Sequence, residues 1–517
     1  MLQTDLILTP EEAFYEEIFL KKAANSLNVD IKDITDFKIE RKSIDARKKN
    51  ILINLRLAIF LKGEKPEDIS MKYHYGDVSK KQPIVVVGFG PAGLFAALRL
   101  IELGFKPIVL ERGKNVHDRK RDIAILNTKQ ILNEDSNYCF GEGGAGTFSD
   151  GKLYTRSNKR GDISRILEIF NIHGADNNIL YESRPHIGTD KLPKIISNIR
   201  ERILNSGGEI HFSCKMTDLI TCDNKIKAVV TSDKKEIETK AVILATGHSA
   251  EDVYKLLEKK GVKLQSKGFA MGVRVEHPRQ MIDEIFYHHS DTEYLPAATY
   301  SLVTQIQDRG VYSFCMCPGG QIVPSATQKG YNLVNGMSAA ARRNYWSNAG
   351  IVVEIRPEDI PGFSQETPLC GLEYQKEIER LTFINGGSTQ KAPAQRLTDF
   401  IKGRISGSLM ETSYVPGVVS SPVHFWLPDF ISTRLREGFK DFDKKMKGFV
   451  SEEAMILATE SRTSSPIRIV RDENKLNCPM LENLFPCGEG AGYAGGIVSS
   501  AMDGEKAAES VATFFDF

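Results

Sequence analysis

The most distinct pattern along the chain is an apolar run that passes directly into glycines. Four consecutive apolar residues, 84–87, precede residues 88–93, which include three glycines, and a stretch of small and apolar residues follows. A short apolar run bounded by a turn is typical of a buried strand, and the next stretch has the composition of a closely packed helix. A second apolar run, residues 107–110, ends at Glu111. The pattern predicts a strand, a tight turn, a helix and a second strand.

The three glycines have the spacing of a dinucleotide-binding turn. In such a turn the first glycine permits the sharp bend, the second lets the backbone approach a pyrophosphate, and the third lets the helix pack closely on the sheet. Glu111 follows the second strand, where a carboxylate accepts both hydroxyls of an adenosine ribose, so FAD or NAD is favoured over a 2′-phosphorylated nucleotide. The spacing does not separate FAD from NAD. The residues predicted to contact the dinucleotide are Gly88, Gly90, Pro91, Ala92, Gly93, Glu111 and Arg112.

The chain before this motif has a pattern of its own. Thr9, with the proline and acidic residues after it, predicts a helix that begins there and ends near Asn28. Residues 37–41 and 51–61 predict two strands. The order strand–helix–strand–strand indicates a small α+β module of the ferredoxin-like kind. We interpret it as a module that docks a protein partner, with ligand binding as the alternative.

A second glycine-rich turn lies near the carboxyl end. Residues 484–487 are mostly apolar, Glu489 follows, glycines recur up to Gly496, and small residues continue beyond it. An acid here is placed to bind the sugar-alcohol chain of a flavin, and a helix start directs N–H groups and a dipole at the pyrimidine edge of the ring. NAD has no use for this second site, so the two motifs together predict FAD. The residues predicted here are Gly488, Glu489, Gly495, Gly496 and Ile497.

Two distant segments of the chain are thus predicted to bind the same nucleotide. This arrangement resembles the two-part FAD fold of the glutathione-reductase superfamily. Residues 143–152 are too rich in glycine for a strand or helix, and their position is similar to that of the superfamily loop that covers the pyrophosphate and the flavin ring. Residues 241–248 are similar to a strand that passes near the cofactor, and residues 209–215 and 226–239 to a strand and a meander. The further FAD contacts that this implies are Gly144, Ala145, Gly146, Thr147, Asp150, Gly151, Lys152, Met216, Thr246 and Gly247.

Further segments extend the resemblance over the whole chain, at residues 43–47, 141–152, 185–190, 267–278, 315–320, 462–466 and 484–497. On these segments the chain resembles a family of bacterial FAD-dependent dehydrogenases of unassigned substrate, often described as NAD/FAD-utilising dehydrogenases. The resemblance implies an α/β fold: a Rossmann-type two-part FAD-binding domain, an inserted mixed α+β substrate domain and the small N-terminal module. Glu489 is a departure, because many flavoproteins of the superfamily have aspartate there, so its carboxylate reaches one methylene further.

The length of 517 residues exceeds a single compact core and predicts two or three domains. Inside the substrate domain, residues 311–315 predict a strand, and residues 375–384 and 430–447 predict helices. The predicted divisions are residues 1–80 for the module and its linker, 81–267 for the first part of the FAD-binding domain with cap segments near 155–205, 268–450 for the substrate domain, and 451–517 for the closing part of the FAD-binding domain.

Net charge and composition restrict the classes of partner that the protein is expected to bind. The 68 basic and 67 acidic residues give a net charge of +1, which provides no general attraction to nucleic acid, so flavin-dependent RNA modification is disfavoured. The acidic N-terminus lacks an apolar signal segment, and no stretch approaches the ~20 apolar residues of a membrane span. Eight scattered cysteines fit a reducing compartment and offer no metal-binding spacing. We predict a cytoplasmic protein with a small-molecule substrate, without a metal, and leave its oligomeric state open.

Two groups before residue 320 are candidates for catalysis. His186 precedes a helix predicted to begin near residues 189–190, and its imidazole is suited to donate a proton to a substrate or to flavin N5; the alternative is a structural histidine. Cys315 and Cys317 lie two residues apart and are suited to relay electrons as a thiol pair. A disulfide at this spacing is strained, so small strand residues are the favoured interpretation.

A third candidate group lies shortly before the last FAD segment. Arg462 and Ser464 follow a helix predicted from Ser451, and the chain must pass the flavin ring after them. Arginine is suited to bind a substrate carboxylate, and the alternative is an arginine at a domain interface. His186, Arg462 and Ser464 are therefore the predicted catalytic residues.

The expected function is that of an FAD-dependent oxidoreductase that transfers a hydride between flavin N5 and an organic substrate. No second dinucleotide motif follows a strand elsewhere in the chain, so NADH or NADPH is expected at most as a transient electron donor. Two alternatives stay open: a flavin monooxygenase, and a non-catalytic FAD-dependent redox sensor or scaffold whose N-terminal module binds a partner.

Overall fold

The structure, a computed structural model, describes residues 1–48, 50–155, 161–288, 293–364 and 366–515. Residues 156–160, at the start of the predicted cap segments, lie outside the described residues. In chain order the strands are β1 Leu2–Leu8, β2 Ile34–Asp45, β3 Leu52–Leu61, β4 Pro83–Val87, β5 Lys106–Leu110, β6 Glu209–His211, β7 Met216–Cys222, β8 Lys225–Thr231, β9 Glu236–Glu238, β10 Val242–Leu244, β11 Leu264–Ser266, β12 Phe269–Pro278, β13 Val303–Ile306, β14 Arg309–Cys317, β15 Gln321–Pro324, β16 Val334–Met337, β17 Trp346–Ile355, β18 Ala392–Arg396, β19 Val418–Ser420, β20 Met455–Glu460, β21 Ile467–Ile469 and β22 Leu484–Pro486.

The α-helices vary from a single turn to five turns. In chain order they are α1 Pro10–Phe14, α2 Glu16–Leu27, α3 Pro91–Glu102, α4 Val116–Lys129, α5 Ile163–Ile172, α6 Leu192–Asn205, α7 Glu251–Lys259, α8 Arg279–Tyr287, α9 Cys370–Asn385, α10 Leu397–Lys402, α11 Val423–Trp426, α12 Asp429–Lys445 and α13 Ile497–Phe515. Within the described residues, none of these helices combines the length and the apolar character needed to cross a bilayer.

A parallel sheet of five strands, in the order β22-β10-β4-β5-β6, carries the first glycine motif. Its central strand β4 is buried on both faces, which explains the continuous apolar run: Ile84 and Val86 pack on the side of α3 and α13, and Val85 and Val87 pack on the side of the β7-β8-β9 meander. Strand β22 comes from the far end of the chain. The α/β, Rossmann-like fold predicted from the sequence is confirmed.

A mixed sheet of seven strands, in the order β13-β14-β17-β12-β20-β18-β19, fills the long connection between the two glycine motifs. Most neighbours are antiparallel, and only β18 and β19 run parallel. Phe439 and Phe442 of α12 are buried in the core against this sheet, as is Phe400 of α10. The predicted strand at 311–315 and the predicted helix at 375–384 are confirmed within β14 and α9, and the helix predicted at 430–447 is confirmed as α12, which ends two residues earlier, at Lys445.

The helix predicted from Ser451 is wrong. Residues 455–460 form β20, which pairs with β12 on one side and β18 on the other and is wholly buried. A short apolar run fits a buried strand as well as a buried helix, and only its neighbours in the fold decide between them.

The N-terminal unit is a three-stranded antiparallel sheet, in the order β1-β3-β2, covered by α1 and α2. The single helix predicted from Thr9 is interrupted at Tyr15, whose backbone is extended, and Thr9 caps α1 together with Glu12. The unit is joined to the body of the protein at Lys42, whose N–H donates to the Tyr181 carbonyl at 2.9 Å. Its ferredoxin-like character stays a prediction.

The helix predicted near residues 189–190 begins slightly later, at Leu192, without a side-chain cap. Asp190 instead accepts a hydrogen bond from the Ala340 N–H at 2.7 Å, and Thr189 donates to the Met337 sulfur at 3.7 Å. These two residues therefore attach the chain before α6 to the end of β16 and the loop after it.

Candidate active site

A cavity of about 360 Å³ opens where the parallel sheet meets the seven-stranded sheet. It lies at the carboxyl ends of β4, β5, β10 and β22 and at the amino ends of α3 and α13. Ligands bind at this edge of an open α/β sheet because helix N–H groups and loops converge there. Gly90, the N-cap residue of α3, provides no side-chain cap, so the first N–H groups of α3 face the cavity without a side-chain acceptor from that position.

The first two motif glycines and the third serve different purposes. Gly88 has φ +99°, and a Cβ there would lie 2.4 Å from the Ala245 carbonyl oxygen. Gly93 does not line the cavity; a Cβ there would lie only 1.9 Å from the Gly88 carbonyl oxygen. Gly93 therefore lets α3 approach the turn after β4, while the backbone of Gly90 is left facing the cavity.

Glu111 is buried at the cavity wall and accepts hydrogen bonds from three backbone donors. Its carboxylate accepts hydrogen bonds from the N–H groups of Phe89 at 2.8 Å, Gly113 at 2.8 Å and Gly141 at 3.0 Å. These bonds tie the glycine turn, the end of β5 and the loop at 141–152 to one carboxylate. Arg112 beside it is held by Asp252, with Nη2–O distances of 2.8 and 2.9 Å.

A fully buried arginine that sequence reasoning missed holds the loop at 141–152. Arg119, on α4, donates from Nη1 to the Glu142 carbonyl at 2.7 Å, from Nε to the Asn137 carbonyl at 2.8 Å and from Nη2 to the Tyr138 carbonyl at 2.9 Å. Thr147 donates to the Glu142 carbonyl at 2.9 Å, so it stabilises the loop from inside and does not line the cavity. No local pattern around Arg119 distinguishes it from a surface arginine of an amphipathic helix.

The end of this loop enters an ion-pair cluster. Arg342 Nε lies 3.0 Å from Asp150 Oδ1, and Lys152 Nζ lies 3.7 Å from Asp150 Oδ2. Burial opposes ionisation of Asp150, but Lys152 and Arg342 outweigh it and hold the pKa of this carboxyl below its usual value. Burial likewise opposes the charge of Lys152, and nearby Cys315 and Asp150 outweigh it, so the pKa of Lys152 is raised. The cavity thus keeps a cation at Lys152.

The opposite wall comes from the seven-stranded sheet and its connections. Phe314 and Cys315 of β14, Asn335 of β16, and Arg462 and Thr463 after β20 all reach the cavity. Beneath them Arg274 and Glu460 form a fully buried ion pair with an Nε–Oε2 distance of 2.7 Å.

Sequence comparison finds separate matches for two consecutive segments of the chain. Residues 83–270 match the family model described as glucose inhibited division protein A, and residues 268–463 match the model described as FAD-dependent protein, C-terminal domain-like. Residues 1–60 match a domain of unknown function. An uncharacterized protein of Clostridium beijerinckii is 43% identical over 517 residues, with 96% of each chain covered.

The chain belongs to a family of FAD-dependent oxidoreductases of unassigned substrate. Two more distant proteins are also similar to this chain. A thiamine thiazole synthase of Aeropyrum pernix is 24% identical over 203 residues, which cover 36% of this chain and 63% of that protein. The crystal structure of L-proline dehydrogenase from P. horikoshii has a TM-score of 0.35 and 12% identity, and covers 84% of this chain and 94% of that one.

The cavity fits FAD on observations of its own. A Cβ built at Gly247 or Gly495, both of which line the cavity, would meet no atom within 4 Å, so the backbone there borders open space. Gly90 adds an uncapped helix start. The predicted residues that line this cavity are Gly88, Gly90, Pro91, Ala92, Glu111, Arg112, Gly144, Ala145, Gly146, Asp150, Gly151, Lys152, Met216, Thr246, Gly247, Arg462, Gly488, Glu489, Gly495, Gly496 and Ile497.

His186 and Ser464, two of the predicted catalytic residues, do not line the cavity. His186 Nε2 lies 3.1 Å from the Ala340 carbonyl oxygen, and burial, with a contribution from Arg342, lowers the pKa of the imidazole. Arg342 and Asp150 lie close enough for their charges to act on the ring, and the catalytic role of this histidine stays a prediction. Ser464 lies next to Thr463, whose side chain bonds the backbone of β12 at Ala270.

Arg462 lines the cavity, but its guanidinium already has several partners. Nε and Nη2 donate to the two oxygens of Glu379 at 2.8 and 2.7 Å. Nη1 donates to Ser249 Oγ at 3.1 Å and to Thr327 Oγ1 at 3.0 Å. These contacts join α9, the loop before α7 and the loop after β15, as expected of a domain-interface arginine.

Two acids contribute to the second glycine turn. Glu489 lies at the cavity with Oε1 3.2 Å from His248 Nδ1, and its ribityl contact stays a prediction. Asp503 inside α13, which the sequence did not single out, accepts from the Gly488 N–H at 2.7 Å and also pairs with Arg471 at 2.7 Å. Asp503 therefore fixes the turn, and Glu489 is left on the cavity side. His248 was within reach of the sequence argument, because it follows the predicted contacts at Thr246 and Gly247.

Proposed function

We propose that the protein transfers a hydride between N5 of FAD and a small organic substrate that binds against the seven-stranded sheet. The carrying observation is that one cavity is lined on one side by both glycine turns and on the other by Lys152, Phe314, Cys315 and Asn335. When bound, FAD supplies the hydride chemistry itself. The role of the protein is to bind FAD and the substrate, to orient them and to shield them from water.

Each part of the cavity has a role in this proposal. The turn at residues 88–90 and the start of α3 hold the pyrophosphate, because their N–H groups and the helix dipole favour an anion. Glu111 accepts the adenosine ribose hydroxyls, and Glu489 accepts the sugar-alcohol chain. The start of α13, after Gly495 and Gly496, stabilises negative charge on the pyrimidine edge of the reduced ring.

The substrate side has a fixed positive charge. Lys152 lies at the wall beside Phe314 and Cys315, and its raised pKa keeps it protonated at neutral pH. A cation there favours a substrate that carries a carboxylate or develops negative charge during transfer. We propose that NADH or NADPH visits the cavity only transiently, since one dinucleotide motif is present and FAD occupies it.

The test begins with the absorbance spectrum of the purified protein, followed by anaerobic titration with NADH and NADPH. The expected result is a yellow protein whose flavin absorbance is bleached by one of the two nucleotides. A colourless protein that does not take up added FAD contradicts the proposal. Product that incorporates oxygen during aerobic turnover assigns the protein to the monooxygenases instead.

A pair of valine variants separates cofactor binding from folding. Gly90→Val places a branched side chain at the pyrophosphate position, where a Cβ itself is tolerated 3.7 Å from Gly144 Cα, so we expect loss of FAD with the fold retained. Gly76→Val is the matched control, because it is exposed and its Cβ meets no atom within 4 Å. Loss of FAD in both variants, or in neither, argues against the assigned site.

A further inference from the structure

Two cysteines at the substrate wall have no part in the proposed hydride transfer. Cys315 lines the cavity, and Cys317 is buried directly behind it, with its sulfur 3.4 Å from the Cys315 carbonyl oxygen. The pairing of β14 with β17 shifts register between Phe314 and Cys317, and Cys315 has φ +43°. A left-handed backbone is unfavourable for cysteine and clusters at functional sites. The strand therefore bulges where it meets the cavity.

The bulge removes the main objection to a bond between these two sulfurs. In a regular strand, residues two apart are separated by roughly 6.4–6.8 Å, at the upper end of the Cα separations that a disulfide accepts. Residues two apart on a strand already point to the same face, and a bend between them shortens this separation.

The two thiols also have unequal surroundings. Lys152 Nζ donates to the carbonyl of Met316, between the two cysteines. Arg274 Nη1 lies 3.2 Å from the Cys315 carbonyl oxygen and 4.0 Å from the Cys317 sulfur. Hydrogen bonding from Cys317, with the charges of Lys152 and Arg274, lowers the pKa of Cys315 well below its usual value against the effect of burial. Hydrogen bonding to Cys315 and burial raise the pKa of Cys317.

We propose that Cys315 and Cys317 are a dithiol–disulfide pair that exchanges two electrons with FAD, an inference that rests on FAD binding in this cavity. Oxidation of the pair forms one bond between the two sulfurs and removes two electrons together with the thiol proton of Cys317. FAD takes up those two electrons and that proton. The reverse reaction returns them to the disulfide and breaks the bond. Cys315 is the sulfur that faces the cavity, and Cys317 is its buried partner.

The experiment counts electrons and thiols in the full-length protein with FAD bound. The protein is oxidised with diamide, desalted and titrated anaerobically with dithionite while flavin absorbance is followed. We expect four electrons per FAD for the wild type, and two for Cys315→Ser and for Cys317→Ser. Cys222→Ser is the control, because Cys222 is exposed and outside the cavity, and it is expected to take up four.

Alkylation of the oxidised protein, followed by peptide mass mapping, locates the thiols independently of any flavin signal. When alkylation is done in denaturant, which exposes the buried Cys317, both Cys315 and Cys317 are expected to resist it before reduction and to react after it. A yellow protein that takes up two electrons per FAD with both thiols alkylated overturns the dithiol assignment and leaves the proposed hydride transfer standing. A protein that binds no FAD overturns both, because the pair then has no electron acceptor.

Discussion

The two walls of the cavity are built by different means. The wall at the parallel sheet is mostly backbone: glycine turns at 88–93 and 488–496 and the starts of α3 and α13. The wall at the seven-stranded sheet is held by ion pairs between side chains that are far apart in sequence, such as Arg274–Glu460 and Arg462–Glu379. A backbone site requires particular residues at fixed spacing, whereas an ion-pair site requires only that the fold bring two charges together. A backbone site can therefore be predicted from a sequence, whereas an ion-pair site cannot.

The largest effect is expected at the buried pair beneath the substrate wall. Arg274→Met leaves the Glu460 carboxyl buried without its partner, where neither side chain is exposed, and we expect the free energy of unfolding to fall by about 3–5 kcal/mol. Urea unfolding measures the change. The double variant Arg274→Met/Glu460→Met, which removes both charges, is expected to recover much of it. A double variant as unstable as the single one would show that packing, and not the unpaired carboxyl, sets the cost.

The backbone wall is tested next by Gly93→Ala. A Cβ there would lie 1.9 Å from the Gly88 carbonyl oxygen, so α3 must move away from the turn, and we expect a loss of about 3 kcal/mol together with weaker FAD binding. Thermal unfolding and the flavin content of the purified protein report the two effects. Gly407→Ala serves as control, since its Cβ meets no atom within 4 Å and should leave both unchanged. Equal stability of the two variants would contradict the packing role given to Gly93.

Glu505 in α13 is expected to make the stability of the protein depend on pH. Burial raises the pKa of Glu505 from 4.5 to about 7, against the attraction of Arg165. The folded protein therefore holds this proton more tightly than the unfolded chain, so the stability it contributes is complete below about pH 4.5 and is lost as the pH rises through 7. Relative to Glu505→Gln, the wild type should lose ~3 kcal/mol between pH 4.5 and 8. Parallel stability curves for the two proteins would refute this assignment.

The smallest effect on stability is expected at Arg462. The interpretation as a domain-interface arginine and the interpretation as a substrate-binding arginine predict different results there. Arg462→Lys cannot reproduce the two-pronged contact with Glu379, and we expect the free energy of unfolding to fall by about 1–2 kcal/mol. Flavin fluorescence titration should give unchanged FAD affinity. Unchanged stability combined with weaker binding of anionic ligands would favour the substrate role instead.

The places where sequence reasoning failed follow from the same difference. The apolar residues 455–458 give no sign that their neighbours are β12 and β18, so a helix was predicted where β20 lies. His186 is near the cluster around Asp150 but does not reach the cavity, because Arg342 from a distant loop lies against the acid. Arg119 holds the loop at 141–152 and Asp503 holds the second glycine turn, through contacts that no local pattern indicates.

The sequence by itself determined the parallel sheet, its two glycine turns and the use of FAD, because a tight turn and a close approach to phosphate can be met by few residues at few spacings. Only the tertiary structure decided which charges pair across the substrate wall, where β20 lies, and that β14 bulges at Cys315, where this residue lines the cavity. Those features depend on long-range packing, in which many different residues satisfy the same contact. A feature can be predicted from the sequence where the backbone itself forms the site. It cannot be predicted where the site depends on contacts between side chains that are distant in sequence.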